Sequence, residues 1–487
     1  LSPNNLLKIS KKQLTLLLLF FVALTILSYY HRHATGDDAW FAEQSYWLEK
    51  EGVIRSELFR GLLGWDKQLL VSHKLFLVVG AGLIHLFGYE LPVLQFVSMI
   101  FFILLIAEII YYVSREERAF NSWYMPALLI LIFSNRILIK MSFENRPEIM
   151  LAALGFGSFL FISKNKNGVF RSAAAGILAG LAFLSHLNGV IYLAAGAGLL
   201  LYLKEYKNAF AFVMAGGLVS LIYFIDIMLA ENGLAIWQYQ FLNDPAVQRA
   251  FGIGSKLLVM LTYPVMFFHS PEQIALSLLL VFLIWHQRDF LKTIPVPLRV
   301  YSVLLAIAFW LVTKKNAGLY LTLFLPFMLV LCYELYKIRP FSSWLLKMVL
   351  AIYFVIGIYG SIQIIHKNLT IEYLPVSYSR LRQQIPDQKS GFVPLTFFFN
   401  EIERYPHLMA HENFKIQSIM AKSKMSAANM ASWANKNGAG FILMDYKYRP
   451  ESFYPKAGTR KLPFYKLTFF DGRFAIYQRL QLIKKRL

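Results

Sequence analysis

Cysteine is almost absent. Cys332 is the only one among 487 residues, which excludes a disulfide framework and a thiolate metal cluster. Charge is scarce as well: Asp, Glu, Lys and Arg make up 16% of the chain, against roughly 25% in an ordinary soluble domain. Acid is the scarcer sign, with 28 acidic against 49 basic residues and a formal net charge of +21. The ten histidines show no HExxH or other metal spacing, so zinc has no support. A glycine-rich phosphate loop and a G-x-S-x-G elbow are also missing, which argues against nucleotide-powered chemistry on the inner face. What fills the chain instead is apolar: 57% hydrophobic, 16% aromatic, with a mean hydropathy of +0.49. A soluble surface needs polar cover that this composition cannot supply, and disorder needs the opposite bias. An α-helical polytopic membrane protein remains. Its basic excess suits short loops and anionic partners such as lipid head groups and phosphates better than nucleic acid.

Gln13–His31 is an apolar run behind Lys11 and Lys12, long enough to span a bilayer with its start inside. It lacks a small-residue cleavage site and is expected to be retained. Ser114–Arg118, Lys164–Arg171, Lys204–Lys207, Gln287–Lys292 and Lys337–Arg339 all fall on the inner side only if Val71–Gly88 does not cross. That segment is then a membrane-embedded part of the first outer loop. The expected spans are Gln13–His31, Leu91–Val113, Trp123–Ile139, Pro147–Ser163, Ala173–Ser185, Gly189–Leu203, Ala209–Ala230, Leu257–His286 (long, or broken at Ser270-Pro271), Leu298–Val312, Gly318–Tyr336 and Trp344–Ile365. About eleven spans put residues 366–487 outside as a small α/β domain, after a transmembrane domain over 1–365. Within the outer domain, Phe392–Phe399 and Gly440–Met444 read as strands. Ser426–Asn435 reads as a helix capped by Ser426, with Gly438 just past its end. Leu467–Phe470 and Phe474–Gln478 flank an Asp471-Gly472 turn, a hairpin signal.

With this topology the unusual polar residues gather on the outer face. Asp37 and Asp38 open a helical stretch just beyond the first span. A single Asp there is explained by N-capping. Two adjacent carboxylates at a membrane surface also suit a general base for an acceptor hydroxyl, and both roles can hold at once. Glu144, Arg146 and Glu148 surround Pro147 at the mouth of a span. They form either a solvated turn with a local ion pair, or a second acidic group with Arg146 as a clamp for phosphate or carboxylate. Lys314 and Lys315 lie outside, against the orientation bias, where a bound phosphate would explain them. His73-Lys74 reads equally as an interfacial snorkelling pair or a phosphate contact. His186 and Asn188 read first as capping or cross-span hydrogen-bonding groups. With Tyr320 they form the candidate substrate pocket.

Several of these strings resemble the GT-C membrane glycosyltransferases that use polyprenyl-phosphate sugars, in particular the protein O-mannosyltransferase and aminoarabinose transferase branches. GDDAWFAEQSYWLEKEG is similar to the family's acidic pair after the first span. HKLFLVVGAGLIHLFG is similar to its HPPL…LFG segment, with His73-Lys74 in place of the proline pair. FENRPEIMLAAL resembles the second outer acidic motif, AAGILAGLAFLSHLNGVIYL the glycine-rich span pair, and KKNAGLYLTLFLPF the lysine-to-tyrosine-to-proline span. The likeness covers most of residues 1–336. It implies that Asp37 is the catalytic acidic residue, with Asp38 beside it and Glu144 near the second acidic position.

The resemblance implies transfer of a sugar from a polyprenyl-phosphate carrier to an acceptor hydroxyl on the extracytoplasmic face, with inversion. The acceptor is a lipid, polysaccharide or protein. Lys314, Lys315 and Arg146, with His73 and Lys74, would hold the donor phosphate. Relatives with monophosphate donors point to no metal, so no cofactor is expected, although two acidic loops could hold a divalent cation. The rival is a transporter or flippase of lipid-linked saccharides, which should carry charge midway through its spans; Asp226, near an outer end, is the nearest candidate. The compact loops and the lack of a eukaryotic targeting signal point to a bacterial inner membrane with the site on the periplasmic side.

Overall fold

A computed structural model describes residues 10–114, 124–163, 168–245, 252–313, 316–338, 344–385, 389–399, 401–405 and 407–480. Lys314 and Lys315 lie outside the described residues, as do residues 115–118 and 164–167 of the expected inner loops, and Arg339. Helix α1 (Lys11–Tyr29) starts at a capping box, in which Ser10 Oγ accepts from Gln13 N and Gln13 Oε1 accepts from Ser10 N. It leaves Leu16, Leu19, Ile26 and Leu27 exposed along its length, an apolar surface fit for lipid. Next come α2 (Gly36–Glu51), α3 (Lys74–Phe87), α4 (Leu91–Ser114), α5 (Tyr124–Phe133), α6 (Arg136–Met141), α7 (Glu148–Ile162), α8 (Val169–Ser185), α9 (Val190–Tyr202) and α10 (Tyr206–Leu221). Then follow α11 (Ile225–Leu229), α12 (Gly233–Asn243), α13 (Ile253–Thr262), α14 (Pro271–His286), α15 (Val296–Val312), α16 (Leu325–Ile338) and α17 (Trp344–Thr370).

Four helical stretches among the described residues are long and apolar enough to cross a membrane: α1, α4, Tyr206–Leu229 and Lys347–Gln383, which includes most of α17. A fifth forms if α13 and α14 count together, although they are bent by 94°. The bend falls at Ser270-Pro271, the break foreseen for that span. Pro271 has no N–H to continue the preceding helix, and Ser270 caps the next one with Gln273. Helices α3, α7, α8, α9 and α15 are apolar but shorter. The chain is an integral membrane protein.

The expected span Trp123–Ile139 is interrupted. Asn135 stops α5 and caps α6, its Oδ1 accepting from Leu138 N at 3.1 Å. The carbonyl this frees at Leu131 accepts from Tyr353 Oη of α17 at 2.8 Å, and Asn135 Nδ2 donates to the same hydroxyl at 3.2 Å. Inside an apolar core such groups must find protein partners, since water is not there to serve them. One turn further along α17, Gly357 lets the helix lie against the Ser134 carbonyl, where a Cβ would collide. This crossing sets the direction of α6, and α6 carries the chain to Glu144.

Helix α17 runs to Thr370, past the expected end of the last span, and leads through α18 (Leu374–Ser379) into the C-terminal domain. Its six-stranded sheet has the order β2-β1-β3-β6-β5-β4, with β1 (Gly391–Val393), β2 (Leu408–Ala410), β3 (Phe441–Asp445), β4 (Lys461–Leu462), β5 (Tyr465–Phe470) and β6 (Phe474–Arg479). Strand β1 runs parallel to β2 and β3, and the remaining pairs are antiparallel. Helices α19 (His411–Met420) and α20 (Ala427–Lys436) complete the α/β unit. The expected strand at Phe392–Phe399 ends at Val393, because Pro394 cannot donate to the ladder and a 3-10 turn over Leu395–Phe398 follows. The foreseen hairpin forms, with Gly472 at φ 88°. One apolar core joins this domain to the helices, placing Leu58 and Phe59 with Leu395 and Phe398. Ala410 N donates to Leu58 O at 3.0 Å, and Tyr448 Oη donates to Ala34 O at 2.7 Å.

Gly357→Ala should lower stability by about 1–3 kcal/mol, the cost of overpacking a tight contact. Thermal unfolding in detergent measures it. Gly82→Ala, where a Cβ meets nothing within 4 Å, should leave the midpoint unchanged or higher.

Candidate active site

The site begins with the cap of α2. Thr35 is the N-cap, and its hydroxyl accepts from Asp38 N at 3.4 Å. Asp38 returns the contact, its Oδ2 accepting from Thr35 N at 2.5 Å. The other oxygen, Oδ1, accepts from Asn145 N, and Asn145 Nδ2 donates to Asp38 O at 3.1 Å. Asp38 is therefore fully buried, with both carboxylate oxygens on backbone donors. Burial first and the charge of Glu144 second push its carboxyl up to about 6, against the opposing hydrogen bonds from Thr35 and Asn145. Asp37, one residue earlier, points the other way, and its side chain is 54% exposed.

The turn that Asp38 holds carries the remaining charges. Arg146 pairs with Asp37 through Nη1. On its other edge it meets Glu148 in a two-point contact, Nη2 to Oε1 at 2.6 Å and Nε to Oε2 at 3.1 Å. Burial works against the guanidinium charge, but Glu148, Asp37 and Glu144 outweigh it and hold Arg146 charged. Glu144 is buried, with Lys140 Nζ at 3.5 Å and Arg32 Nη2 at 3.7 Å. Those are ion-pair distances, and Glu144 Oε1 has no hydrogen-bond partner. Asp37 and Glu148 thus meet the Arg146 guanidinium at the N-terminal ends of α2 and α7, with Glu144 beside them.

Aromatic contacts continue from Arg146. Its guanidinium lies 5.9 Å from the Phe41 ring, Phe41 lies 5.1 Å from His73, and His73 stacks on His186 at 4.4 Å and 18°. His186 meets the edge of Tyr320 at 6.1 Å. Burial holds His73 well below the ordinary histidine range, with His186 and Arg146 adding to it. Burial also takes His186 down to about 4, Glu148 opposing and Arg146 assisting. Both rings are neutral at pH 7, so they offer N–H donors and no charge. His73 Nδ1 has no partner, whereas His186 Nδ1 accepts from Asn188 N at 2.9 Å. The Asn188 backbone thus serves the local turn, while its side chain bonds Tyr320. Lys74 faces elsewhere. It pairs with Asp226 of α11 and stands 4.5 Å over the Tyr223 ring, and it does not line the cavity that Asp37 opens into. Asp226, the residue a transporter would use, is matched by that pairing.

Asp37, Lys140, Glu144 and Arg146 line a cavity of about 480 Å³. Trp40, Phe59 and Trp65 form one wall, Trp40 and Trp65 with ring centres 5.5 Å apart. Glu43 holds that wall from behind. Buried on α2, it accepts from Ser56 Oγ, Glu57 N and Leu58 N at 2.5–2.9 Å and from Trp47 Nε1 at 3.2 Å. The opposite wall belongs to the C-terminal domain: Glu412, Lys415, Arg449 and Glu451. Lys415 Nζ meets Glu451 Oε2 at 2.9 Å, while Glu412 Oε2 is shut from solvent without a partner. Burial pushes Glu412 up to about 7, Glu451 adding and Lys415 and Arg449 opposing. Sequence reading gave these four residues no role, since they sit among many charged residues of a soluble domain. Among the described residues, no three His, Cys, Asp or Glu side chains converge as a metal site.

No family model and no curated protein matches the chain. Solved structures do. ArnT from Cupriavidus metallidurans in its apo state aligns with a TM-score of 0.64 at 12% identity, covering 96% of this chain and 98% of that one. The same protein bound to undecaprenyl phosphate gives 0.65 at 12% identity, with 97% and 99% covered. The oligosaccharyltransferase of Archaeoglobus fulgidus in its apo form gives 0.52 at 13% identity, covering 90% of this chain and 70% of that one. The chain therefore has an ArnT-like fold, in keeping with the fold that the resemblance of its loop motifs implied.

Asp38→Asn should cost about 1–3 kcal/mol, because an amide cannot serve both backbone donors. Differential scanning of the detergent-solubilised variant measures it, and Asp37→Asn at the exposed neighbour should leave the midpoint near wild type.

Proposed function

We propose that the chain transfers a sugar from a polyprenyl-phosphate carrier to an acceptor hydroxyl. The observation that carries this is the exposed Asp37 carboxylate set against the Arg146 guanidinium in a cavity walled by tryptophan, on a fold shared with a protein solved with undecaprenyl phosphate. Asp37 takes the acceptor proton as the acceptor oxygen bonds to the anomeric carbon. The bond from that carbon to the phosphate oxygen breaks, and the electron pair leaves with the phosphate. Arg146, kept charged by its carboxylate neighbours, stabilises the growing negative charge. His73 donates an N–H beside it. Direct attack on the carbon opposite the phosphate inverts the anomeric centre. Asp38 and Glu144 position the two outer loops. Lys314 and Lys315 are assigned to the phosphate on their sequence position alone, and Lys74 is assigned to it only if donor binding releases Asp226. His186, Asn188 and Tyr320, which lie beyond His73 and outside the cavity lining, are assigned to the donor side.

The mechanism uses Arg146 as its cation and no metal, so activity should survive EDTA. We assign the site to the periplasmic face of a bacterial inner membrane, on the run of basic inner loops in the sequence. The C-terminal wall, with Glu412, Lys415, Arg449 and Glu451, receives the acceptor, which is a lipid, polysaccharide or protein.

Asp37→Asn should lower turnover by about 10²–10⁴-fold, the loss of a positioned base. The assay is release of carrier phosphate from a polyprenyl-phosphate sugar by purified protein. Wild-type turnover in that variant removes Asp37 from the mechanism. The Glu412 carboxyl, raised to about 7, is protonated below that pH and a pure acceptor above it. The KM for the acceptor should therefore fall as pH rises through about 7, and Glu412→Gln should flatten that profile.

A further inference from the structure

A second cavity, about 400 Å³ in volume, lies between α4, α7 and α8 and shares no residue with the first. Helix α7 separates the two: it begins at Glu148, bonded to Arg146, and reaches this cavity at Leu160 and Phe161. At a rise of about 1.5 Å per residue the ends are roughly 20 Å apart. The second cavity therefore lies towards the opposite side of the bilayer, by the inner loops.

Its polar lining is small and of mixed sign. Glu108 projects from α4 about 9 Å before the helix ends at Ser114, a depth where hydrocarbon gives way to head groups. Its Oε2 is shut from solvent and has no hydrogen-bond partner. Its Oε1 occupies the space that a side chain at 157 would take, since a Cβ on Gly157 would stand 2.5 Å from it. Arg171, exposed on the first turn of α8, lines the same cavity, and no ion pair joins it to Glu108 among the described residues. Tyr111 and Phe161, 51% and 43% exposed, open the cavity onto the apolar surface of the helices. A carboxylate at this depth without a partner is costly and calls for a cationic one. The guanidinium at the mouth calls for an anion.

An amphiphile carrying a hydrogen-bonding cation and a phosphate answers both. We propose that this cavity binds the head group of an ethanolamine phospholipid, its ammonium on Glu108 and its phosphate on Arg171. A choline head group has the charge but no N–H to give to Glu108, and a glycerol head group has no cation at all.

The test uses the full chain, delipidated in detergent and reloaded with phosphatidylethanolamine, phosphatidylcholine or phosphatidylglycerol of identical acyl chains, with bound lipid counted by native mass spectrometry. Wild type should hold the ethanolamine lipid about tenfold more tightly than either other lipid, the worth of one charge-assisted hydrogen bond. Glu108→Gln should abolish that preference, and Arg171→Gln should weaken all three lipids alike, since each carries the phosphate. Equal retention of all three lipids by wild type, or a preference that persists in Glu108→Gln, would overturn the assignment. If Glu108→Gln does not fold, the exposed Arg171→Gln decides, and undiminished ethanolamine-lipid binding there overturns it equally.

Discussion

Both oxygens of the Asp38 carboxylate accept backbone hydrogens, one inside the first turn of α2 and one from Asn145 in the turn before α7. The second contact joins α2 to a turn about a hundred residues away in the chain. Asp37 and Arg146 inherit their positions from that junction. Asp37 is turned outward because its neighbour is turned inward, and Arg146 reaches Asp37 because Asn145 is held against Asp38. An acid held away from solvent by its neighbours' backbone is a rigid reference point, and rigidity matters where catalysis depends on distances of a few tenths of an ångström.

The electrostatics follow from crowding several charges into a place with little water. Arg146 keeps its charge because Glu148, Asp37 and Glu144 surround it. The two stacked imidazoles lose theirs because they are buried beside that same guanidinium. One fixed cation flanked by neutral donors suits a substrate whose negative charge grows during reaction. The C-terminal domain closes the other side of the cavity with groups of both signs, on a sheet docked through Ala410, Tyr448 and a shared apolar core.

Much of the fold was legible because it rests on short-range rules. Long apolar runs marked α1, α4 and α17. Ser270-Pro271 marked the break between α13 and α14, Ser426 the start of α20, and Asp471-Gly472 the hairpin. The misses have local causes that a hydropathy reading passes over. Asn135 interrupts an apolar run by capping a new helix, and Pro394 ends β1 early. At the site, Asp37, Glu144 and Arg146 stood out as charges at the mouths of spans. Glu412 did not, because nothing near it in sequence separates it from a solvated helix start.

The sequence by itself determined that the chain is a membrane protein, that acids collect beyond its first span, and that a small α/β domain follows the last. Those properties depend on composition and on neighbours within a few residues. Only the tertiary structure decided that Asp38 is sealed while Asp37 is open, that Lys74 pairs with Asp226, that the histidines stack and stay neutral, and that Glu412 faces the same cavity as Asp37. Each of these depends on groups distant in sequence sharing a small volume, where burial and Coulomb interaction, both set by distance in space, fix which side chains carry charge and which are free to react.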